Sequence, residues 1–377
     1  SLQRLASSAG SDASQIAELA AVLRTAGPVV ILWGERLAHG PRGKEAVDAL
    51  LAVAKALDLA GTEGAGLIEV PAGTNSRGLR EVGVLPRTGP GLADVDAPGD
   101  DATAIADSLA SGDTAALVLL HADPLATHPR RDRWEEGLDR ATFVVAFAEF
   151  MDGGIAEYAD VVLPAESYAE REGTVVHPDG RVQRVRQTIG HPGEVRPVWW
   201  ALEQLLARLG HGTGALSAPM VSEQVFEAVP FYEGLTLDEV GPRGIRWCER
   251  DAASKLDAPD LPDAPLGDAP AAAEPNGRLR LGSRPSLWTG YVTRHAPALS
   301  FLKPEQTVEL SPADAERLGI GTGTPVQVGM NGTRVNATAA VRAAMPEGTA
   351  YLIEGTEDSP AGKLLSGEPQ SVEVSTG

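Results

Sequence analysis

Residues 159–186 read ADVVLPAESYAEREGTVVHPDGRVQRVR, the chain's densest set of groups able to do chemistry. Glu166, Glu170 and Glu172 crowd one short polar segment. Arg181, Arg184 and Arg186 follow a Pro178-Asp179-Gly180 turn signal. Paired carboxylates run acid–base chemistry only when burial raises the pKa of one of them. Arg171 and the three downstream arginines instead predict a structural network, in which Arg181, Arg184 and Arg186 pair with Glu170, Glu172 or a partner's carboxylates. No catalytic residue is assigned. Residues 71–90 are Gly-rich around Thr74-Asn75-Ser76-Arg77-Gly78. That stretch is either a connecting loop or a place where backbone without Cβ approaches a ligand. No complete phosphate-loop or dinucleotide glycine signature occurs. His121 and His128 flank a proline loop with no third ligand nearby, so no metal site is predicted. The lone cysteine, Cys248, reads as a small core residue beside Trp247. No nucleophile elbow or hydrolase triad can be picked out.

These groups need a scaffold. Residues 159–163 are a Val-rich run of the kind a strand covered on both faces shows, stopped by Pro164. Similar apolar runs predict buried strands at 28–33, 67–70, 115–120 and 142–148. They alternate with helices at 1–26, 43–57, 102–110, 130–138 and 152–158, which means an α/β fold, doubly wound on a parallel sheet. Ligands of such sheets sit at the carboxyl ends of strands, where residues 164–186 make a long loop. Residues 198–209 predict an amphipathic helix with Trp199, Leu202, Leu205, Leu206 and Leu209 on a core stripe, ended by Gly210. A short helix at 222–229 is capped by Ser222, and 231–247 is irregular. Residues 251–277 hold Pro259, Pro262, Pro265, Pro270 and Pro275 among Asp and Ala, an extended linker. From 278 the pattern is β-rich, with a Ser311-Pro312 helix start and an Asn331-Gly332 hairpin signal, a small barrel. The predicted domains are an α/β domain at 1–215, a connection and linker at 216–277, and a C-terminal β-barrel at 278–377.

The order of ADVVLPA, Glu170-Arg171-Glu172-Gly173-Thr174 and GRVQRVR from Gly180 resembles the molybdopterin oxidoreductase superfamily. Within it, the chain is most similar to the cofactor-less large iron–sulfur subunit (the G subunit) of bacterial NADH-quinone oxidoreductase, respiratory complex I. HPGEVRPVWWALEQLLARLG from His191 resembles the same component. The resemblance implies that the barrel is a double-psi, molybdopterin-dinucleotide-binding type. Catalytic members clasp pterin dinucleotides between such domains, and their metal ligand comes from an earlier part of the chain. By the same resemblance, Asn75, Gly173, Thr174 and His177 are vestigial pterin-pocket candidates. Cofactor-holding relatives carry Thr-Glu-Thr where this chain has Gly153-Gly154-Ile155, and Asn where it has His177. A pterin pocket needs many donors placed together, so none is expected to be held here.

The formal net charge of −20 argues against nucleic acid and anionic membrane surfaces as partners. No run approaches the roughly 20 apolar residues of a membrane span. One cysteine excludes a four-thiolate iron–sulfur cluster within the chain. The chain starts at Ser1, which we read as a fragment of a longer polypeptide. Three functions compete. The first is a non-catalytic scaffold region of the large complex I subunit, on the cytoplasmic side. Its partners are the missing N-terminal domains, which carry the iron–sulfur clusters, and the other peripheral-arm subunits. The residues 166–186 then brace the α/β domain against the barrel or those missing domains. The second is part of a catalytic molybdenum or tungsten enzyme such as a formate dehydrogenase, with molybdopterin guanine dinucleotide. The third is a small-molecule-binding module built on residues 71–90.

Overall fold

The computed structural model describes residues 2–9, 11–39, 42–257, 261–262 and 277–376. It divides into two units interleaved in sequence. One is Ser1–Asp101 with Glu166–Ala273, and the other is Ala102–Ala165 with Glu274–Gly377. These limits differ from the predicted divisions at 215 and 277. The first part of the predicted linker forms a 3-10 helix, Asp251–Lys255. Pro259, Pro265, Pro270 and Pro275 lie outside the described residues.

The strands before the barrel are β1 (Val30–Gly34), β2 (Gly66–Val70), β3 (Ala116–Leu120), β4 (Phe143–Ala148), β5 (Val161–Pro164), β6 (Gly173–Val176), β7 (Arg181–Val185) and β8 (Ile245–Arg246). The barrel strands are β9 (Leu279–Arg284), β10 (Thr307–Leu310), β11 (Pro325–Met330), β12 (Thr333–Val341), β13 (Thr349–Ile353) and β14 (Ser371–Thr376).

In the first unit, β1 and β2 pair in parallel across the helix Gly43–Ala56. The prediction of a fully buried β1 fails: Leu32 is 66% exposed, because a two-stranded sheet covers too little of its faces. The stretch 71–90 is not all loop, since Ser76–Glu81 is a helix. The long loop after Pro164 is also corrected. Most of its second half is an antiparallel hairpin, β6 with β7, extended by β8. Gly180, at φ +83°, makes the turn that Pro178-Asp179-Gly180 signalled. The helix at 198–209 forms as Val198–Arg208, but Leu205, Leu206 and Leu209 on its predicted core stripe are exposed, and its buried residue is Glu203. The next helix is Ala218–Ala228, capped by Ser217 rather than Ser222. The core here is aromatic, with Phe226, Phe231, Tyr232 and Trp247 packed on Val176 and Val182.

In the second unit, β3, β4 and β5 form a parallel sheet in that order. Its core is Leu109, Trp134, Leu138, Val144 and Ile155. β5 is an edge strand and not covered on both faces, with Val161 and Leu163 each 39% exposed. The edge position is what lets Pro164 end the ladder without an orphaned partner. The parallel strands before the barrel therefore lie in two sheets, one in each unit. The barrel is closed, in the order β10-β12-β11-β14-β9-β13. Closure removes the edges that small sheets otherwise expose. Pairing is mixed, with β10–β12 and β9–β13 parallel and the rest antiparallel. Alternate residues such as Val308, Leu310, Val326, Val328 and Val372 fill it.

Candidate functional site

The carboxylates and arginines of residues 166–186 separate into distinct local arrangements. Thr174 and Arg184 are opposite each other on β6 and β7. Beside them, Arg184 Nη2 meets Glu172 Oε1 at 2.7 Å, the pairing the sequence predicted. Arg181 stands 4.0 Å from Asp179 instead, and Arg186 is exposed and pairs with no carboxylate among the described residues. Glu170 is buried and accepts the Ser167 N–H at 3.1 Å. Glu166 is buried, faces His191 Nε2 at 2.8 Å and accepts the Val198 N–H at 3.3 Å. That places its negative charge at the start of the helix Val198–Arg208, where free N–H groups favour it.

The vestigial-pocket candidates only partly converge. Asn75, Gly173 and Thr174 line one cavity of about 210 Å³, together with Glu172, Trp199, Ser222 and a wall of valines. His177 is not among its lining. It sits exposed at the hairpin turn, with Nδ1 2.8 Å from Asp179. Burial pushes the Asp179 carboxyl up, but His177 and the Arg181 N–H outweigh it and hold it below its ordinary value. Asn75 Oδ1 accepts the Val176 N–H at 2.8 Å, tying the helix Ser76–Glu81 to β6. A Cβ on Gly78 would lie 2.2 Å from that oxygen. The close approach allowed by this glycine thus serves Asn75.

Beside the cavity is a network that the sequence did not announce. Glu81 is buried and accepts from Arg77 Nε at 2.8 Å, from Trp247 Nε1 at 3.1 Å and from the Tyr232 hydroxyl. Burial first, then the Glu81 charge, pushes the Tyr232 phenol far up, so it stays protonated and donating. Tyr232 and Trp247 lie 151 and 166 residues from Glu81, beyond any local motif. Cys248 is exposed, against the core position predicted for it, because Trp247 takes the inner place.

In the second unit the carboxyl end of β3 leads to Asp123, 4% exposed. Its Oδ1 accepts the Leu125 N–H at 3.0 Å and its Oδ2 accepts the Gly154 N–H at 3.2 Å. One buried carboxylate therefore caps Pro124–Thr127 and anchors the first turn of Gly153–Tyr158. A Cβ at Gly153 would stand 2.6 Å from Asp123 Oδ2, and one at Gly154 would stand 2.9 Å from Oδ1. Gly153-Gly154 leaves the space that Asp123 fills. The Asp123-Pro124 pair is a readable cap signal, but its tie to Gly154 is long-range.

Near the carboxyl end of β4, Phe150 stacks on His295 at 4.0 Å between ring centres, and Asp152 Oδ2 lies 2.9 Å from His295 Nε2. Burial, then Asp123 and Asp152, push the neighbouring Tyr291 phenol up to about 12. His121 and His128 do not converge. His121 Nδ1 is 3.6 Å from Glu149, and His128 Nδ1 contacts the Pro129 carbonyl. Among the described residues no three His, Cys, Asp or Glu side chains are grouped to hold a metal ion. No helix of the described residues is long and apolar enough to cross a membrane.

The cavity beside β6 and the Gly153-Gly154 turn offer few groups to a pterin dinucleotide of the kind that catalytic members of the superfamily clasp. The cavity, at about 210 Å³, is too small for a dinucleotide. Its one charged lining residue is the Glu172 carboxylate, whose Arg184 partner is already engaged. At Gly153-Gly154 there is no side chain to donate, and the Gly154 N–H is taken by Asp123.

The sequence matches the molybdopterin oxidoreductase family over residues 3–208 and the molydopterin dinucleotide binding domain over 283–374. It is 28% identical over 348 residues to NADPH-Fe(3+) oxidoreductase subunit alpha of Geobacter sulfurreducens, covering 86% of this chain and 39% of that one. It is 27% identical over 262 residues to F420-dependent formate dehydrogenase 2 subunit alpha of Methanococcus maripaludis, covering 63% and 37%. It is 27% identical over 372 residues to the second G-type subunit of NADH-quinone oxidoreductase from Rhizobium meliloti, covering 93% and 42%. The chain thus spans about two-fifths of the length of these relatives. The solved structure of acetylene hydratase from Pelobacter acetylenicus shares the fold, with a TM-score of 0.54 at 18% identity over 74% of this chain and 47% of that one. With more than half of its residues matched by one family, the chain belongs to the molybdopterin oxidoreductase family.

Proposed function

We propose that the chain is the pterin-free, non-catalytic region of an NADH-quinone oxidoreductase subunit, a scaffold within an assembly that carries electrons from NADH to quinone. The observation that carries this reading is Asp123. It occupies the space beside Gly153-Gly154 and takes the Gly154 N–H, at the position where the resemblance puts the donors of cofactor-holding relatives. The NADH-quinone oxidoreductase relative from Rhizobium meliloti, aligned over 93% of this chain, supports it. On this reading the parent's iron–sulfur clusters lie in other domains. Exposed Arg186 is available to a carboxylate of a peripheral-arm partner, and the location is the cytoplasmic side of the membrane. The parallel strands separated by helices support a doubly wound α/β region, and the mixed pairing of the closed barrel supports a double-psi topology.

A second reading, a catalytic molybdenum or tungsten enzyme part, is favoured by the formate dehydrogenase relative and by the match of the barrel to a dinucleotide-binding domain. Co-expression with the remaining components of a bacterial complex I separates the two. The scaffold reading predicts near-stoichiometric co-purification with the peripheral arm. Failure of a folded chain to co-purify sinks it.

A further inference from the structure

The cavity beside β6 has polar groups that the fold does not use. Ser222 lines it at 5% exposure, and its hydroxyl has no hydrogen-bond partner among the described residues. A hydroxyl that lines a cavity without a protein partner is free to bond a polar group that enters. Thr174, across the cavity on β6, also has a hydroxyl without a partner among the described residues. Asn75 spends its oxygen on the Val176 N–H, which leaves its amide N–H₂ as a donor. The remaining lining is apolar, including Val82, Val182, Val221 and Val225. Glu172 is the acidic lining residue, and Arg184 pairs with it at 2.7 Å.

We propose that this cavity is a binding site for a small neutral single-ring heterocycle bearing carbonyl or ring-nitrogen acceptors. Size sets the first limit. A cavity of about 150 Å³ takes one benzene ring, so about 210 Å³ admits a six-membered ring with small substituents and no dinucleotide. Charge sets the second. No unpaired cation lines the cavity among the described residues, so an anion would meet a carboxylate without compensation. The polar groups set the third. The Ser222 and Thr174 hydroxyls and the Asn75 N–H₂ donate to ring acceptors, while the valines cover the ring faces.

The test uses the full chain with three probes, uracil, benzene and benzoate, read by ligand-observed NMR and calorimetry. Uracil binds with a Kd of roughly 1 mM, as suits about eight heavy atoms, and benzoate does not bind. Ser222→Ala weakens uracil by about 5- to 10-fold, the loss of one hydrogen bond, and Ser222→Ala with Thr174→Val weakens it further. Ala218→Leu, which fills the cavity from the same helix, abolishes binding. Should that variant not fold, the one-atom Ser222→Ala change still decides. Absence of uracil binding overturns the proposal. So does equal uracil affinity in the native chain and Ser222→Ala, or benzene binding as tightly as uracil.

Discussion

Gly153→Ala tests whether Asp123 and the two glycines form one unit. Gly153 has φ +53°, where an L residue with a Cβ costs about 1–2 kcal/mol. The added Cβ would also stand 2.6 Å from Asp123 Oδ2. Asp123 has little room to yield, being 4% exposed and committed to two backbone N–H groups. Forcing this overlap adds about 1–3 kcal/mol, so the variant loses roughly 2–5 kcal/mol in all. Asp123→Ala alone loses a helix cap, about 0.5–2 kcal/mol, and orphans the Gly154 N–H at about 1–3 kcal/mol. In the double variant the overlap no longer exists. The two losses should therefore fall short of additivity by about 1–3 kcal/mol. Urea unfolding followed by circular dichroism reads all four proteins, and hydrogen exchange at residues 153–158 localises the effect. Additivity within about 0.5 kcal/mol refutes the reasoning, because distant independent sites behave that way.

Other outcomes follow from the same geometry. Tyr232→Phe removes a donor from the buried Glu81 carboxylate and should cost about 1.5–3 kcal/mol in urea unfolding; no change would mean that the hydroxyl is not bonded to Glu81. Arg184→Glu sets two carboxylates together on the hairpin and should cost about 1 kcal/mol, the pair being partly exposed. If neither stability nor assembly with partner proteins responds, the bracing role of this pair is wrong. Burial raises the Asp314 carboxyl, but bonds from Arg317, Ser311 and the Gly348 N–H outweigh it and hold it below its ordinary 3.8. Its stabilising contribution is present above that pH and is lost as pH falls through the lower folded value. Asp314→Asn should therefore flatten the acid limb of the melting-temperature profile, and an unchanged limb would contradict this.

Much of the fold was legible because strands and helices announce themselves locally. Short apolar runs gave β1 to β5 within a few residues, and the Ser311-Pro312 and Asn331-Gly332 signals placed a helix start and a hairpin in the barrel. Burial was less legible. The runs at β1 and β5 look like covered strands, but coverage depends on neighbours that a run does not name, and Leu32 and Leu163 are exposed. The hairpin β6–β7 was hidden by its charge. Glu172, Arg181 and Arg184 suggested a polar loop, although Val176 and Val182 bury the strands' inner face. β14 was missed despite its alternation of Val372 and Val374 with exposed residues. At the site, Asn75, Gly173 and Thr174 were found, and Ser222 was taken for a cap when it lines the same cavity. Glu81 and Asp123 escaped because their partners are remote in sequence, and composition carries no trace of such pairs.

The most direct test is elemental analysis of the purified chain for molybdenum and tungsten, with fluorescence detection of released pterin, after expression in a host that makes the cofactor. The account predicts neither metal nor pterin in a folded protein. Near-stoichiometric metal and pterin would contradict it and make the chain part of a catalytic oxidoreductase.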